Sequence, residues 1–204
     1  IQEQNKSKNI QQNGQLENQG FTAFCEHNIG VFGLSNSGQS SLIQRLLKNM
    51  FIEQKIENKL QDYNHLIKER NQMLHFWDLQ AFRNNDSLET DKQIIKHSAV
   101  VIITFCLGLE NWKGEVEKHI NFVKQANPMT KIVLIGTKID EEKNQMTREA
   151  TKVFSHFATE KEIKDYFFVS NKTGDNIDQI LQMQWSDDVT YGKIKVGSSK
   201  SCCC

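Results

Sequence analysis

The chain reads as an α/β protein: a mostly parallel sheet of six strands with helices on both faces. Three observations predict this. Strand-like and helix-like segments alternate along the chain. The strand segments are continuously apolar, as strands buried on both faces are. Polar loops fall at the carboxyl ends of those strands, where such sheets bind ligands. The 204 residues are 38% hydrophobic and 25% charged with a formal net charge of zero. That suits one folded unit with tails, and it offers no basic excess for nucleic acid.

In chain order, residues 1–23 are rich in Gln and Asn and are expected to be a disordered arm, too polar for a secretory leader. The folded domain is expected over 24–186. Ile29, Val31 and Phe32 form a first strand ending in Gly33. From Ser40, the residues Leu42, Ile43, Leu46 and Leu47 recur at helical spacing. Met50 to Lys68 is polar; its Ile56, Leu60, Tyr63 and Ile67 fit a helix better than alternation, and the choice between helix and strand stays open. Asn71 to Asp78 reads as a buried strand ending in a carboxylate, and Phe82 to Lys96 as a polar helix.

Ala99 to Phe105 is a central strand. The apolar run it opens, to Leu109, is too short to span a bilayer. Trp112, Val116, Ile120 and Val123 make one helix face, which Pro128 helps to stop. Lys131 to Gly136 is a further strand. Met146, Ala150, Val153, Phe154 and Phe157 mark a helix, and Tyr166 to Val169 a last strand. Thr173-Gly174-Asp175 opens a final helix with Ile177, Ile180 and Leu181.

Cys25 and Cys106 stand apart, and the other three of the five cysteines end the sequence, so neither a disulfide framework nor a zinc spacing is present. A reducing compartment is expected. The six histidines are scattered and read as structural or surface residues.

The loop after the first strand carries the chemistry. Ile29 to Leu47 fits G-x-x-x-x-G-K-[ST] at Gly33, Gly38 and Ser40, with Gln39 where the motif has lysine. Strand, small-residue loop and helix N-terminus together aim backbone N–H groups at one anion. Gly33, Asp78, Thr137 and Ser170 all lie at predicted strand ends, so four polar loops converge on one edge.

After the fifth predicted strand the chain reads Thr137-Lys138-Ile139-Asp140, and after the sixth Ser170-Asn171-Lys172. With the glycine loop, these segments resemble the small GTPases of the Ras superfamily, the Rab branch in particular. That family's base-reading motifs are [NT]-K-x-D and S-A-K. Asp78 precedes Lys138 by sixty residues, the family's usual separation, and Ser40 to Phe51 is similar to its first helix. The resemblance covers about residues 26–185. It implies the P-loop small-G-protein fold, GTP or GDP as ligand, and Mg2+ as cofactor, here weakened. Gly33, Ser35, Asn36, Ser37, Gly38, Gln39, Ser40 and Ser41 would then bind phosphate. Phe51, Thr137, Lys138, Asp140, Ser170, Asn171 and Lys172 would surround guanine, with Asp140 accepting from two base donors that adenine lacks. Ser40, and Asp78 through water, would hold the metal.

Three departures touch the phosphate end. A neutral amide at Gln39 can donate to a phosphate oxygen without bringing charge; losing a charged hydrogen bond of about 1.5–3 kcal/mol weakens binding on the order of 10- to 100-fold. The family's D-x-x-G-Q reads Asp78-Leu79-Gln80-Ala81-Phe82, so the glycine that meets the γ-phosphate is Ala81 and the water-orienting glutamine is Phe82. No Thr or Ser lies between Ser41 and Trp77, where the family's first switch has a threonine. Asn36, in place of a glycine, tolerates left-handed geometry best among the other residues. No catalytic residue is therefore assigned, and hydrolysis is expected to be very slow or lost.

The sequence ends Ser-Cys-Cys-Cys, which is not a C-a-a-X box. Rab proteins end in paired cysteines, and the resemblance implies geranylgeranyl groups on two of Cys202, Cys203 and Cys204, at the end of a flexible tail over 187–204. Two chains hold a membrane stably where one holds it marginally. Lys193, Lys195 and Lys200 would add about 1 kcal/mol each against an anionic leaflet. A membrane, prenylation escort and extraction proteins, an exchange factor and effectors are the implied partners. The implied location is the cytoplasmic face of endomembranes, with a cytosolic pool. Two further readings stand beside this one: a nucleotide-free scaffold, and a conventional GTPase with compensated motifs.

Overall fold

The computed structural model describes residues 25–51, 62–79, 88–106, 109–142 and 148–185. Its strands are β1 (Cys25–Gly33), β2 (Asp62–Ile67), β3 (Gln72–Asp78), β4 (Val100–Cys106), β5 (Lys131–Thr137) and β6 (Asp165–Phe168). They form one sheet in the order β2-β3-β1-β4-β5-β6, parallel throughout except for the antiparallel pair β2–β3. The helices are α1 (Gln39–Lys48), α2 (Leu88–Lys96), α3 (Trp112–Ala126), the single turn α4 (Ile139–Glu142), α5 (Arg148–Glu160) and α6 (Ile177–Gln182). The expected arm over 1–23, the tail over 187–204, Met146, and Gln80, Ala81 and Phe82 lie outside the described residues.

Two apolar layers sandwich the sheet. On one face Leu42, Ile43 and Leu46 of α1 and Ile177 and Ile180 of α6 pack on Ile29, Val31, Phe76, Ile102 and Val133. On the other, Ile95 of α2, Val116, Ile120 and Val123 of α3 and Phe154 and Phe157 of α5 pack on Phe32, Val101, Ile103, Phe105 and Leu134. Every residue of β4 from Val100 to Phe105 is buried, which is why it reads as an unbroken apolar run and sits at the centre. Each such side chain contributes roughly 1.5–3 kcal/mol on leaving water.

The helical spacing over Ile56 to Ile67 is overturned where it can be seen: Tyr63 and Ile67 belong to strand β2, antiparallel to β3 with Tyr63 opposite Phe76 and Ile67 opposite Gln72. Ile56 and Leu60 lie outside the described residues. A six-residue edge strand, only partly buried, lacks the continuous apolar signature, and two apolar residues four apart imitate a helix. Strand β1 starts four residues earlier than Ile29, at Cys25, and the helical turn α4 over Ile139–Glu142 was not expected; α3 ends at Ala126, with Asn127 as its C-cap and Pro128 just beyond.

The last turns are pinned. Arg70 donates to the carbonyls of Gln182 (2.9 Å) and Met183 (2.8 Å), and Lys131 Nζ to that of Gln184 (2.9 Å). Trp185 is fully buried, its ring edge-on to Phe76 at 5.7 Å. Replacing Trp185 with Ala is expected to cost about 3–5 kcal/mol in urea unfolding; a loss under about 1 kcal/mol would show that the ring is no part of the core. Burial also holds the His27 imidazole below its usual 6.5. Between 6.5 and that lowered value only the unfolded chain takes up the proton, so stability falls as pH drops through this window. Urea midpoints at about pH 7.5 and 5.5 check it: His27→Gln is expected to lose less on acidification than the parent.

Candidate nucleotide-binding site

At the centre of the sheet β1 has β3 on one side and β4 on the other, so the chain leaves β1 over the crevice where strand order reverses. In such sheets that is where ligands bind. The register sets Val31 beside Asp78 and Gly33 beside Thr104, while Phe105 faces Gly136 and Cys106 faces Thr137. Each of these strands thus delivers its polar terminal residue to the same edge.

The loop over 33–38 is held from beneath. Leu34 N–H donates to the Thr104 carbonyl and Ser37 N–H to the Leu34 carbonyl, both at 3.0 Å. Thr104 Oγ1 donates to the Phe32 carbonyl (3.0 Å), which commits its one proton, so the 2.7 Å bond to Ser37 Oγ is donated by Ser37. Thr137 Oγ1 donates to the Ser37 carbonyl at 2.6 Å. Asn36 (φ 61°) and Gly38 (φ 75°) are left-handed. Residues of that hand between ordinary ones curl the backbone into a concave row of N–H groups. Gly38 is also the N-cap of α1 and brings no side-chain cap, so the dipole end of the helix opens on the loop. A Cβ on Gly33 would collide with Ser37 Oγ and with the Gln39 side chain.

Gln39 points inward. It is 1% exposed, and its Nε2 lies 2.6 Å from the Val31 carbonyl, 2.5 Å from Asp78 Oδ1 and 2.9 Å from the Leu79 carbonyl. Two N–H groups meet three acceptors, so at least one is shared. The amide therefore serves the strand ends, and the expectation that it reaches a phosphate finds no such donor here. Ser40 Oγ donates to Asp78 Oδ2 at 2.5 Å. The hydroxyl and carboxylate form a pair of hard oxygens that suits Mg2+. On the far side of α1, burial pushes the Tyr63 hydroxyl up, a Gln44 hydrogen bond opposes this, and the Asp78 charge adds a further rise, so the phenol stays neutral.

The base-side residues also converge. Ser170 Oγ donates to Asp140 Oδ1 at 2.7 Å and accepts from Thr173 N–H at 3.0 Å, which fixes the carboxylate while leaving lone pairs to accept from a base. Lys138 is left-handed (φ 64°), with Nζ 3.8 Å from Glu141. Asn171 is buried and its Nδ2 donates to the Gly38 carbonyl at 3.0 Å, tying this loop to the phosphate loop. Lys172, Ser35 and Asn36 are exposed, and Ser41 is half-buried. Phe51 is exposed, two residues beyond the Asn49 cap of α1, whose Arg45 bonds both to Asn49 and to the 171–172 loop. Cys202 to Cys204 lie outside the described residues.

Two residues that sequence reasoning passed over hold the site together. Thr104, a hydroxyl inside an apolar strand, carries the floor of the loop. Arg45, in the last turn of α1, donates to the carbonyls of Asn171 (2.7 Å) and Lys172 (2.6 Å), and to Asn49 (2.9 Å). A lone arginine amid the apolar spacing of α1 was the available signal.

The model of the Ras family matches residues 28–187. No curated protein matches the chain.

Replacing Arg45 with Ala should loosen the 170–176 turn without touching the sheet. The bonded amides of Thr173 and Gly174 are expected to exchange at least about tenfold faster, as the loss of the charged hydrogen bonds to Asn171 and Lys172 implies. Unchanged exchange at both, or an equal rise at Ile102 and Val133, would count against the clamp.

Proposed function

Because the chain belongs to the Ras family, and is thus a small GTP-binding protein, we propose that it is a Rab-like one in which guanine binding is kept and hydrolysis is very slow or lost. The observation that carries this is the unequal state of the two ends of the site. At the base end, Asp140 is oriented by Ser170 and the loop is tied to Gly38 and Ser37 through Asn171 and Thr137. At the phosphate end, the only long polar side chain of the loop, Gln39, is spent on the strand ends.

Each residue has a role in this reading. The Asp140 carboxylate accepts from the paired donors of guanine, and Lys138 and Lys172 flank the base. Backbone N–H groups of 35, 36 and 38–41 and the α1 dipole bind phosphates; that of Ser37 is engaged by Leu34. Ser40 and Asp78 would hold Mg2+ only weakly, because both Asp78 oxygens already accept from Gln39 and Ser40. Phosphoryl transfer rests on positioning and charge stabilisation. With Gln39 withdrawn, and with Ala81 and Phe82 in the places of the γ-phosphate glycine and the water-orienting glutamine, little of either remains. Such a protein is controlled by nucleotide binding and release, by recruitment, or by both. Geranylgeranylation of two of Cys202 to Cys204 would put it on the cytosolic face of endomembranes, in membrane trafficking, with escort, exchange and effector proteins as partners. The inward Gln39 also favours a second reading, a scaffold that binds no nucleotide.

Denaturing freshly purified protein and chromatographing the supernatant decides between them. Stoichiometric GDP or GTP is expected, with single-turnover hydrolysis at least about tenfold slower than the intrinsic rate of order 10⁻⁴ s⁻¹ typical of a small GTPase. An empty protein that stays empty with excess GTP and Mg2+ would select the scaffold. Turnover at the ordinary intrinsic rate would mean a conventional GTPase. Changing Cys202, Cys203 and Cys204 together to Ser should move the protein from the membrane to the soluble fraction of cells; no movement would refute the anchor.

A further inference from the structure

We propose that Gln39 is a built-in stand-in for the metal side of the site: its amide satisfies Asp78 and clamps the ends of β1 and β3, giving a stable nucleotide-free protein in which Mg2+ adds little to nucleotide retention. This rests on the nucleotide-binding reading above for its Mg2+ part only.

The geometry follows from side-chain length. Glutamine places its nitrogen one atom closer to the backbone than lysine does, and as a planar amide it cannot extend past the loop in the same way. Here it folds under the loop, between Val31 at the end of β1 and Asp78 and Leu79 at the end of β3. Those three acceptors are buried, Asp78 at 3% exposure and Leu79 at 1%. The Val31 carbonyl also accepts from the Leu79 N–H at 2.9 Å, so the cost of losing the amide falls chiefly on the buried Asp78 carboxylate. Ser40 already donates to the second Asp78 oxygen. Both carboxylate oxygens therefore have donors from this chain, and the position that a metal-bound water would take on Oδ1 is filled by the amide.

The loop is closed around this arrangement. Gly33 leaves room for the side chains of both Gln39 and Ser37 where any Cβ would collide with them, and the Ser37 hydroxyl is itself bonded to Thr104. The positioning role of Gln39 is thus exercised through Asp78, and it is in force before any ligand arrives.

Gln39→Met tests this, because it fills the same volume without donors. In nucleotide-free protein the melting temperature is expected to fall by roughly 5–10 °C, the size of one lost hydrogen bond to a buried charge in a chain of this length. Asp78→Ala should remove most of that difference, so that the double variant melts well above the sum of the two losses. The second measurement is release of fluorescent GDP with and without EDTA. The parent is expected to release less than about threefold faster in EDTA, and Gln39→Met, whose Asp78 can take a metal-bound water, at least about tenfold faster. Gln39→Asn, too short to span the strand ends, serves in both measurements if Met prevents folding. Unchanged melting, additive losses, or an EDTA effect no larger than in the parent would each overturn the proposal. Should the parent bind no guanine nucleotide, the proposed function fails and the melting and additivity results alone judge the clamp.

Discussion

The site depends on a short chain of buried hydroxyls. Thr104 donates to Phe32, Ser37 to Thr104, and Thr137 to the carbonyl of Ser37, so side chains from two neighbouring strands hold a loop that has no regular structure of its own. All three residues are essentially inaccessible to solvent. In that setting a donor left without an acceptor costs about 1–3 kcal/mol; the Thr137 hydroxyl has the Phe105 carbonyl as a second acceptor at 3.1 Å. The left-handed residues Asn36 and Gly38 flank Ser37, which two of these bonds hold in place.

From that floor the two halves of the site diverge. The base-reading half is assembled by polar side chains that bond to one another and still present acceptors outward, Asp140 above all. The phosphate half has turned its polarity inward, toward the strand ends. On the function proposed above, a site built this way would keep what distinguishes one base from another and give up what stabilises developing charge on a transferring phosphoryl group. Ras-family membership alone does not require that asymmetry; it comes from particular side chains of this chain.

The sequence made much of this legible, for identifiable reasons. Strands β4 and β5 are readable because burial on both faces demands unbroken apolar runs; β1 is buried only from Ile29 and β3 only at alternate residues, and there the glycine spacing and the carboxylate mark the strand ends. Strand β2 escaped because an edge strand escapes that demand, and Tyr63 and Ile67 fall four apart. The residue at position 39 was legible as a missing lysine, but not the direction its amide takes: that follows from three acceptors supplied by residues 31, 78 and 79, which no local pattern brings together. Arg45 was equally hidden, since its partners Asn171 and Lys172 lie more than 120 positions along the chain.

The anchoring of the last turns has a geometric consequence. Arg70 precedes β3 and Lys131 begins β5, so the carbonyls they grip at 182–184 lie by the amino ends of those strands. The polar loops lie at the carboxyl ends. Seven residues of strand at about 3.3 Å each separate the two edges by roughly 20 Å. Residues 182–185 are therefore fixed at the end of the sheet opposite the polar loops, and Trp185 is locked there by burial.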